Sequence, residues 1–201
     1  MKKRKWLIVE AAVAVALIAL TVFGLSRLFA RKPAERLPSA LPTEPPYPLL
    51  YTESIDRWAD EYQLEKARVA AVIYCESSFR PNETSRTGAV GLMQIMPNTG
   101  SWIAEKLGDD SYTESSLLDP DTNIRYGCWY LNYLEKRFGS DLATVTAAYH
   151  AGEGNVSKWL QDKAFSADGK KLTAIPESNP ETQKYVSRIA LALVAYRKLY
   201  S

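Results

Sequence analysis

Metal-binding and nucleophilic residues are scarce in this chain. Its 201 residues include one histidine, His150, and two isolated cysteines, Cys75 and Cys128. So few imidazole and thiolate groups cannot assemble a ligand cluster, and no metal site or cofactor is called for. A Ser-His-Asp or Cys-His system would have to use His150, around which no nucleophile motif stands. No glycine-rich phosphate loop follows a strand, and no segment alternates apolar and polar residues convincingly. Internal repeats are also lacking. Carboxylates are what remains for chemistry.

Positive charge is scarce outside the N-terminus. Residues 1–32 hold seven of the 25 Lys/Arg and one of the 23 Asp/Glu, so the remainder carries 18 basic against 22 acidic residues, a net of −4. A mildly acidic body of this kind is no general binder of nucleic-acid phosphates. The basic tip, Lys2, Lys3, Arg4 and Lys5, precedes an apolar run from Trp6 to Leu25 broken only by Glu10 and Thr21. Twenty helical residues cover roughly the 30 Å of a bilayer core, and basic residues before the span hold that end in the cytoplasm. The competing reading is a cleavable signal peptide, but "GLSRLFARK" offers no small-x-small site. Either way, the rest of the chain lies on the extracytoplasmic side of the cell membrane, held there by a single-pass anchor if the helix is retained. Residues 1–30 are therefore expected to be tip and anchor. Residues 31–50 hold six of the chain's eleven prolines and form an extended linker.

Residues 51–201 read as an all-α domain of six to eight helices. Thr52 or Ser54 can cap a helix through Tyr62, and a second is expected over Leu64–Ser77. Asp119-Pro120 is a strong start for a helix reaching Phe138, with Gly139 ending it. Gly127 inside that helix costs about 1 kcal/mol relative to alanine, so a close helix contact is expected there. Further helices are expected over Asp141–Ala151, from Asn155 to about Leu160, and after Asn179-Pro180.

One residue is out of place. In the second helix Val69, Val72 and Ile73 form an apolar stripe, and Glu76 takes the next position in its i, i+3, i+4, i+7 series. The helix C-terminus and the apolar neighbours both disfavour a carboxylate, which raises its pKa. An acid that keeps its proton near neutrality can act as a general acid. The alternative is a surface glutamate on a misphased face.

The segments "ESSF…S…GAVGLMQIMP", "DPDTNIRYGCWYL", "AAYHAGEGNV" and "IPESNPETQKYV" resemble, in order, the motifs of the SLT-type lytic transglycosylases. These are lysozyme-like, all-α enzymes that cleave peptidoglycan glycan strands, and the resemblance runs from about Trp58 to Tyr200. It implies Glu76 as the single catalytic acid. It implies Ser77, Ser85, Gln94, Met96, Tyr149, Glu181 and Tyr185 as substrate-binding residues. His150 stands where the family usually has asparagine, which implies an altered sugar contact or pH profile. The implied reaction is a lyase reaction forming 1,6-anhydroMurNAc. A hydrolytic muramidase and a non-catalytic wall-binding module stay open as alternatives. Because the family packs the helices carrying Cys75 and Cys128 together, and an exported domain permits it, a disulfide between them is expected, with two buried thiols as the alternative.

Overall fold

The computed structural model describes residues 47–201; the expected basic tip, anchor and most of the linker lie outside the described residues. Seven α-helices and one 3-10 turn make up this part: α1 Thr52–Glu61, α2 Lys66–Ser77, α3 Pro97–Leu107, the turn Glu114–Leu118, α4 Pro120–Phe138, α5 Leu142–Ala151, α6 Glu153–Gln161 and α7 Pro180–Leu199. Among the described residues, β-structure amounts to two isolated bridges, Thr84–Val90 and Val90–Ile95. No helix among them is long and apolar enough to cross a membrane.

The centre of the domain is α2. Ala67, Val69, Ala70, Ala71, Val72 and Ile73 are all buried. A helix that is apolar nearly all round belongs inside a core, and its small residues let neighbours approach closely. The most extensive helix–helix contact in the domain is α2 against α7, followed by α5 against α7. Residues 47–50, expected in the linker, pack onto this core. The Tyr47 ring sits 4.8 Å from that of Tyr74, and the Pro48 carbonyl accepts from the Tyr196 hydroxyl at 2.8 Å.

The expected cap of α4 is in place, and α5 has one of the same kind. Asp119 accepts from the Thr122 N–H at 2.8 Å and Asp141 from the Thr144 N–H at 2.9 Å, each satisfying an orphan donor of the first turn. At α1 the expectation fails. Tyr51, in a left-handed conformation, is the capping residue, and Ser54 instead donates across to Asp121 at 2.8 Å, with Trp58 donating to the same oxygen at 3.0 Å. Helix α3, over Pro97–Leu107, was not expected. It begins with no side-chain cap and carries Gly100 in its first turns, so "PNTGS" reads as a turn. Gly100 is there because a Cβ would come within 2.5 Å of the Tyr112 hydroxyl.

Candidate active site

Helix α2 ends by reversing sharply. Ser78 and Phe79 both adopt left-handed backbone conformations (φ 52° and 61°), an unusual choice for two successive non-glycine residues. Glu76 stands at the brink of that reversal. Two groups hold it. The Tyr185 hydroxyl of α7 donates to Glu76 Oε1 at 2.5 Å, and Arg188, one turn further along α7, donates to the Cys75 carbonyl at 3.1 Å. The second contact satisfies an orphan carbonyl at the end of α2.

Burial pushes the Glu76 pKa up from an ordinary 4.5 to about 7, against the opposing pull of the Tyr185 hydrogen bond and the Arg188 charge. Among the described residues no second carboxylate acts on it. The acid is therefore substantially protonated at neutral pH, with Oε1 receiving Tyr185 and Oε2 left to carry the proton. Tyr185 is itself buried, and burial together with the neighbouring Glu76 pushes its hydroxyl far up, so it acts as a hydrogen-bond donor and not as an ionising group.

The loop from Arg80 to Met96 forms the facing wall, and Met93 is its anchor. The Met93 N–H donates to Asn123 Oδ1 of α4 at 2.8 Å, and its carbonyl accepts from the Tyr149 hydroxyl of α5 at 2.8 Å. Its sulfur fills the space left by Gly127, where a Cβ would lie 2.2 Å away. The close approach expected at Gly127 exists, then, but is made by a loop methionine and not by a second helix. Gly91 serves the same loop. With φ +81°, it leaves no room for a Cβ between Asn123 and the Leu117 carbonyl.

Gln94, Met96, Tyr149 and His150 line one depression of about 250 Å3, together with Thr99 and Tyr130. Gln94 Nε2 donates to the carbonyls of Gly91 at 2.8 Å and Glu83 at 3.1 Å. Two carbonyl partners settle which end is the amide nitrogen, so the oxygen is the group left for a ligand. Glu76 adjoins this depression: its charge bears on Tyr149, and its partner Tyr185 lies under the His150 ring, 4.6 Å between centroids. His150 Nδ1 is 3.1 Å from the Thr182 hydroxyl, and burial lowers its pKa, which keeps the ring neutral at pH 7. On the far side of His150 a polar depression of about 300 Å3 is lined by Asn155, Asn179, Glu181 and Thr182. Glu181 is exposed there and paired with Lys184 at 2.9 Å.

Two expected residues are placed elsewhere. Ser77 is 1% exposed, and its hydroxyl lies 2.8 Å from the Leu92 carbonyl and 3.2 Å from that of Ile73, so it ties α2 to the loop and is closed to any ligand. Ser85 lines none of these depressions. Its hydroxyl accepts from the Ala89 N–H and meets Thr87 Oγ1, both at 2.9 Å, within its own turn. The expected disulfide is also corrected: Cys75 and Cys128 are free, buried thiols. Burial pushes Cys75 up to about 11 and Cys128 higher still, which leaves both inert. Arg188 and Tyr130 are functional neighbours that the sequence reading passed over. The spacing of Arg188, three residues after Tyr185 on one helix, was the available signal. A larger cavity of about 640 Å3, between Arg137, Asp141, Leu160 and Lys171, contains none of the acid's neighbours.

Fold and site together define a helical domain organised around one carboxylic acid of raised pKa beside a polar, aromatic cleft. The Transglycosylase SLT domain family matches residues 53–172. The chain belongs to that family. It is 36% identical over 157 residues to the soluble lytic murein transglycosylase of Escherichia coli K12, covering 77% of this chain and 24% of that protein. It is 32% identical over 134 residues to the membrane-bound lytic murein transglycosylase C of Photorhabdus laumondii, covering 62% of this chain and 36% of the relative. The 70 kDa soluble lytic transglycosylase of Escherichia coli superposes with a TM-score of 0.68 at 31% identity over 77% of this chain and 25% of that one. This chain thus spans about a quarter of the length of the soluble relatives it matches.

Proposed function

We propose that this chain is a peptidoglycan lytic transglycosylase that cleaves the MurNAc-β-1,4-GlcNAc bond. The observation that carries the reading is a solitary acid with a pKa near 7, held by Tyr185 beside a cleft of amide, hydroxyl and aromatic groups. The relatives, named as murein transglycosylases, support the substrate class.

In the proposed reaction Glu76 gives its proton to the glycosidic oxygen as the C1–O bond breaks. The 2-acetamido carbonyl of the MurNAc supports the developing cation at C1. Glu76, now a carboxylate, takes the proton from the C6 hydroxyl, whose oxygen bonds to C1. The products are a GlcNAc hydroxyl end and a 1,6-anhydroMurNAc end, with no water consumed and the acid reprotonated. Most glycosidases place two carboxylates across the bond. A single acid that serves first as acid and then as base suits an intramolecular nucleophile.

We further propose that residues 1–30 anchor the chain in the cell membrane, with residues 31–50 as spacer and the catalytic domain, from residue 51, facing the wall. The basic tip and the apolar run support this, as does likeness to a relative named as membrane-bound. Mass analysis of peptidoglycan digested by the full chain tests the reaction. Anhydro-muropeptides are expected. Reducing ends would make the chain a hydrolase, and intact glycan would make it a wall-binding module.

A further inference from the structure

The large cavity of about 640 Å3 lies at the C-terminal end of α4, where the start of α5, the end of α6 and the loop before Leu172 meet it. Its volume is within the range of roughly 300–1,000 Å3 usual for ligand pockets. Phe138, Leu142 and Leu160, each half-buried, form an apolar floor, and Arg137, Lys170 and Lys171 stand exposed at the rim. We propose that this cavity docks an acidic peptide segment of a partner protein, with an apolar side chain on the floor and carboxylates on the rim. The site is independent of the reaction proposed above.

Charge complementarity points to the occupant. After residue 32 the chain carries 18 basic against 22 acidic residues, yet this rim sets three cations against one acid, Asp141. That acid is already committed, since its Oδ2 accepts from the Thr144 N–H at 2.9 Å and from the Thr144 hydroxyl at 2.7 Å. Neither Lys170 nor Lys171 takes part in an ion pair among the described residues. Arg137 is pinned on two sides: its Nε lies 3.2 Å from Glu153, and its guanidinium carbon lies 5.4 Å from the Phe138 ring centroid. The terminal amino groups are left for a carboxylate, a pairing that suits the planar guanidinium.

The loop that carries both lysines is held in shape. Asp168 Oδ1 accepts from the N–H of Lys170 at 2.8 Å and of Lys171 at 3.0 Å, and the buried Ser166 hydroxyl accepts from the Gly169 N–H at 3.0 Å. The Leu172 N–H donates to Thr144 Oγ1 at 2.9 Å, which fastens the loop to α5. A backbone fixed before the ligand arrives loses little freedom on binding. The floor then decides between anions. A polyol phosphate would satisfy the cations but leave Phe138, Leu142 and Leu160 against water, whereas a peptide with an apolar residue among acidic ones satisfies both. Neither Tyr185 nor any other neighbour of Glu76 lines the cavity, so a partner seated there leaves the cleft open.

The test is selection from a displayed library of random decapeptides on the full chain, with the full-length Lys170→Glu, Lys171→Glu double variant as counter-target. The chain should enrich peptides that set leucine, isoleucine or phenylalanine beside two or more acidic residues, and the double variant should not. Both substitutions are at exposed, unpaired positions, so the variant should keep the parent's melting temperature. A resynthesised peptide, titrated by calorimetry, should bind the double variant at least ~10-fold more weakly and should lose affinity several-fold from about 0.05 to about 0.5 M salt. Replacing its apolar residue by alanine should cost about tenfold. The proposal is overturned by no enrichment, by enrichment that the double variant shares, or by peptides lacking acidic residues. It is equally overturned if the alanine peptide binds as well as its parent, or if polyglycerol phosphate displaces the peptide at a lower concentration, which would assign the cavity to a wall polymer. Release of anhydro-muropeptides should be the same in the chain and the double variant, and its absence from both would overturn the proposed reaction and not this site.

Discussion

Helix α2 buries one titratable group near its start, half-buries another near its end, and treats the two in opposite ways. Near its start Arg68 is 6% exposed and pairs with Glu135 of α4. Near its end Glu76 has a tyrosine for a partner and no counter-ion in contact. Burial drags the Arg68 pKa down, but the nearby Glu135 opposes the fall, and a guanidinium does not give up its proton in practice. It therefore needs an ionised partner. A carboxyl group has a second way out, since it can become neutral by keeping its proton. One helix thus holds a structural strut and the proposed proton donor, and what separates them is whether an ionised partner is in contact.

The largest effect should come from removing the proton donor. Glu76→Gln is expected to abolish anhydro-muropeptide release, by at least ~1,000-fold, while the protein stays folded. Stability should move the other way. The folded pKa, about 7, lies above the ordinary 4.5, so stability is fully present below 4.5 and is lost as pH rises through 7. The variant cannot ionise and should gain on the order of 3 kcal/mol over the parent above pH 7 in thermal melts. Equal melting points at pH 8 would show that the Glu76 pKa is not raised in the folded state.

At the other end Glu135→Ala should destabilise by about 3–5 kcal/mol, because Arg68 is left buried and unpaired. Replacing both partners by Arg68→Met and Glu135→Leu should recover most of it, as read by denaturant titration. Failure to recover would mean that the pair does more than compensate charge.

Rate profiles sharpen the contrast further. With one group acting as acid and then as base, kcat/KM should fall tenfold per pH unit above about 7 and show no acidic limb down to about pH 5. A bell-shaped profile would point to a second carboxylate. Tyr185→Phe removes a hydrogen bond that lowers the Glu76 pKa, so the alkaline limb should move up by roughly half to one pH unit, with a loss in maximal rate. This is the smallest of the expected effects, and an unmoved limb would count against Tyr185 as a positioning residue.

Local signals in the sequence were read correctly where the physics is local. The stripe ending in Glu76 and the Asp119 cap depend on residues within a turn or two, whereas the crowding at Gly127 comes from Met93, in a distant loop. Partners are another matter. Apolar periodicity marks Glu76 as buried but says nothing of Tyr185, 109 residues away. Arg68, in the first turn of α2, is buried although its residue type is usually exposed, because Glu135 waits for it on α4. Ser77 follows the acid and so reads as part of the site, yet a helix turns by about 100° per residue and carries it into the core. Cys75 and Cys128 illustrate the same limit, since two buried helices can each hold a thiol without bringing them into bonding distance.

The distance along the chain between Glu76 and Tyr185 also sets an order of events. Helix α7 is synthesised long after α2, and it supplies Tyr185, Arg188 and the most extensive packing against α2. Until it docks, Glu76 is an ordinary hydrated carboxylate with no proton to give at neutral pH. A nascent chain that stops short of this twenty-residue helix therefore lacks the poised acid on which the proposed reaction depends.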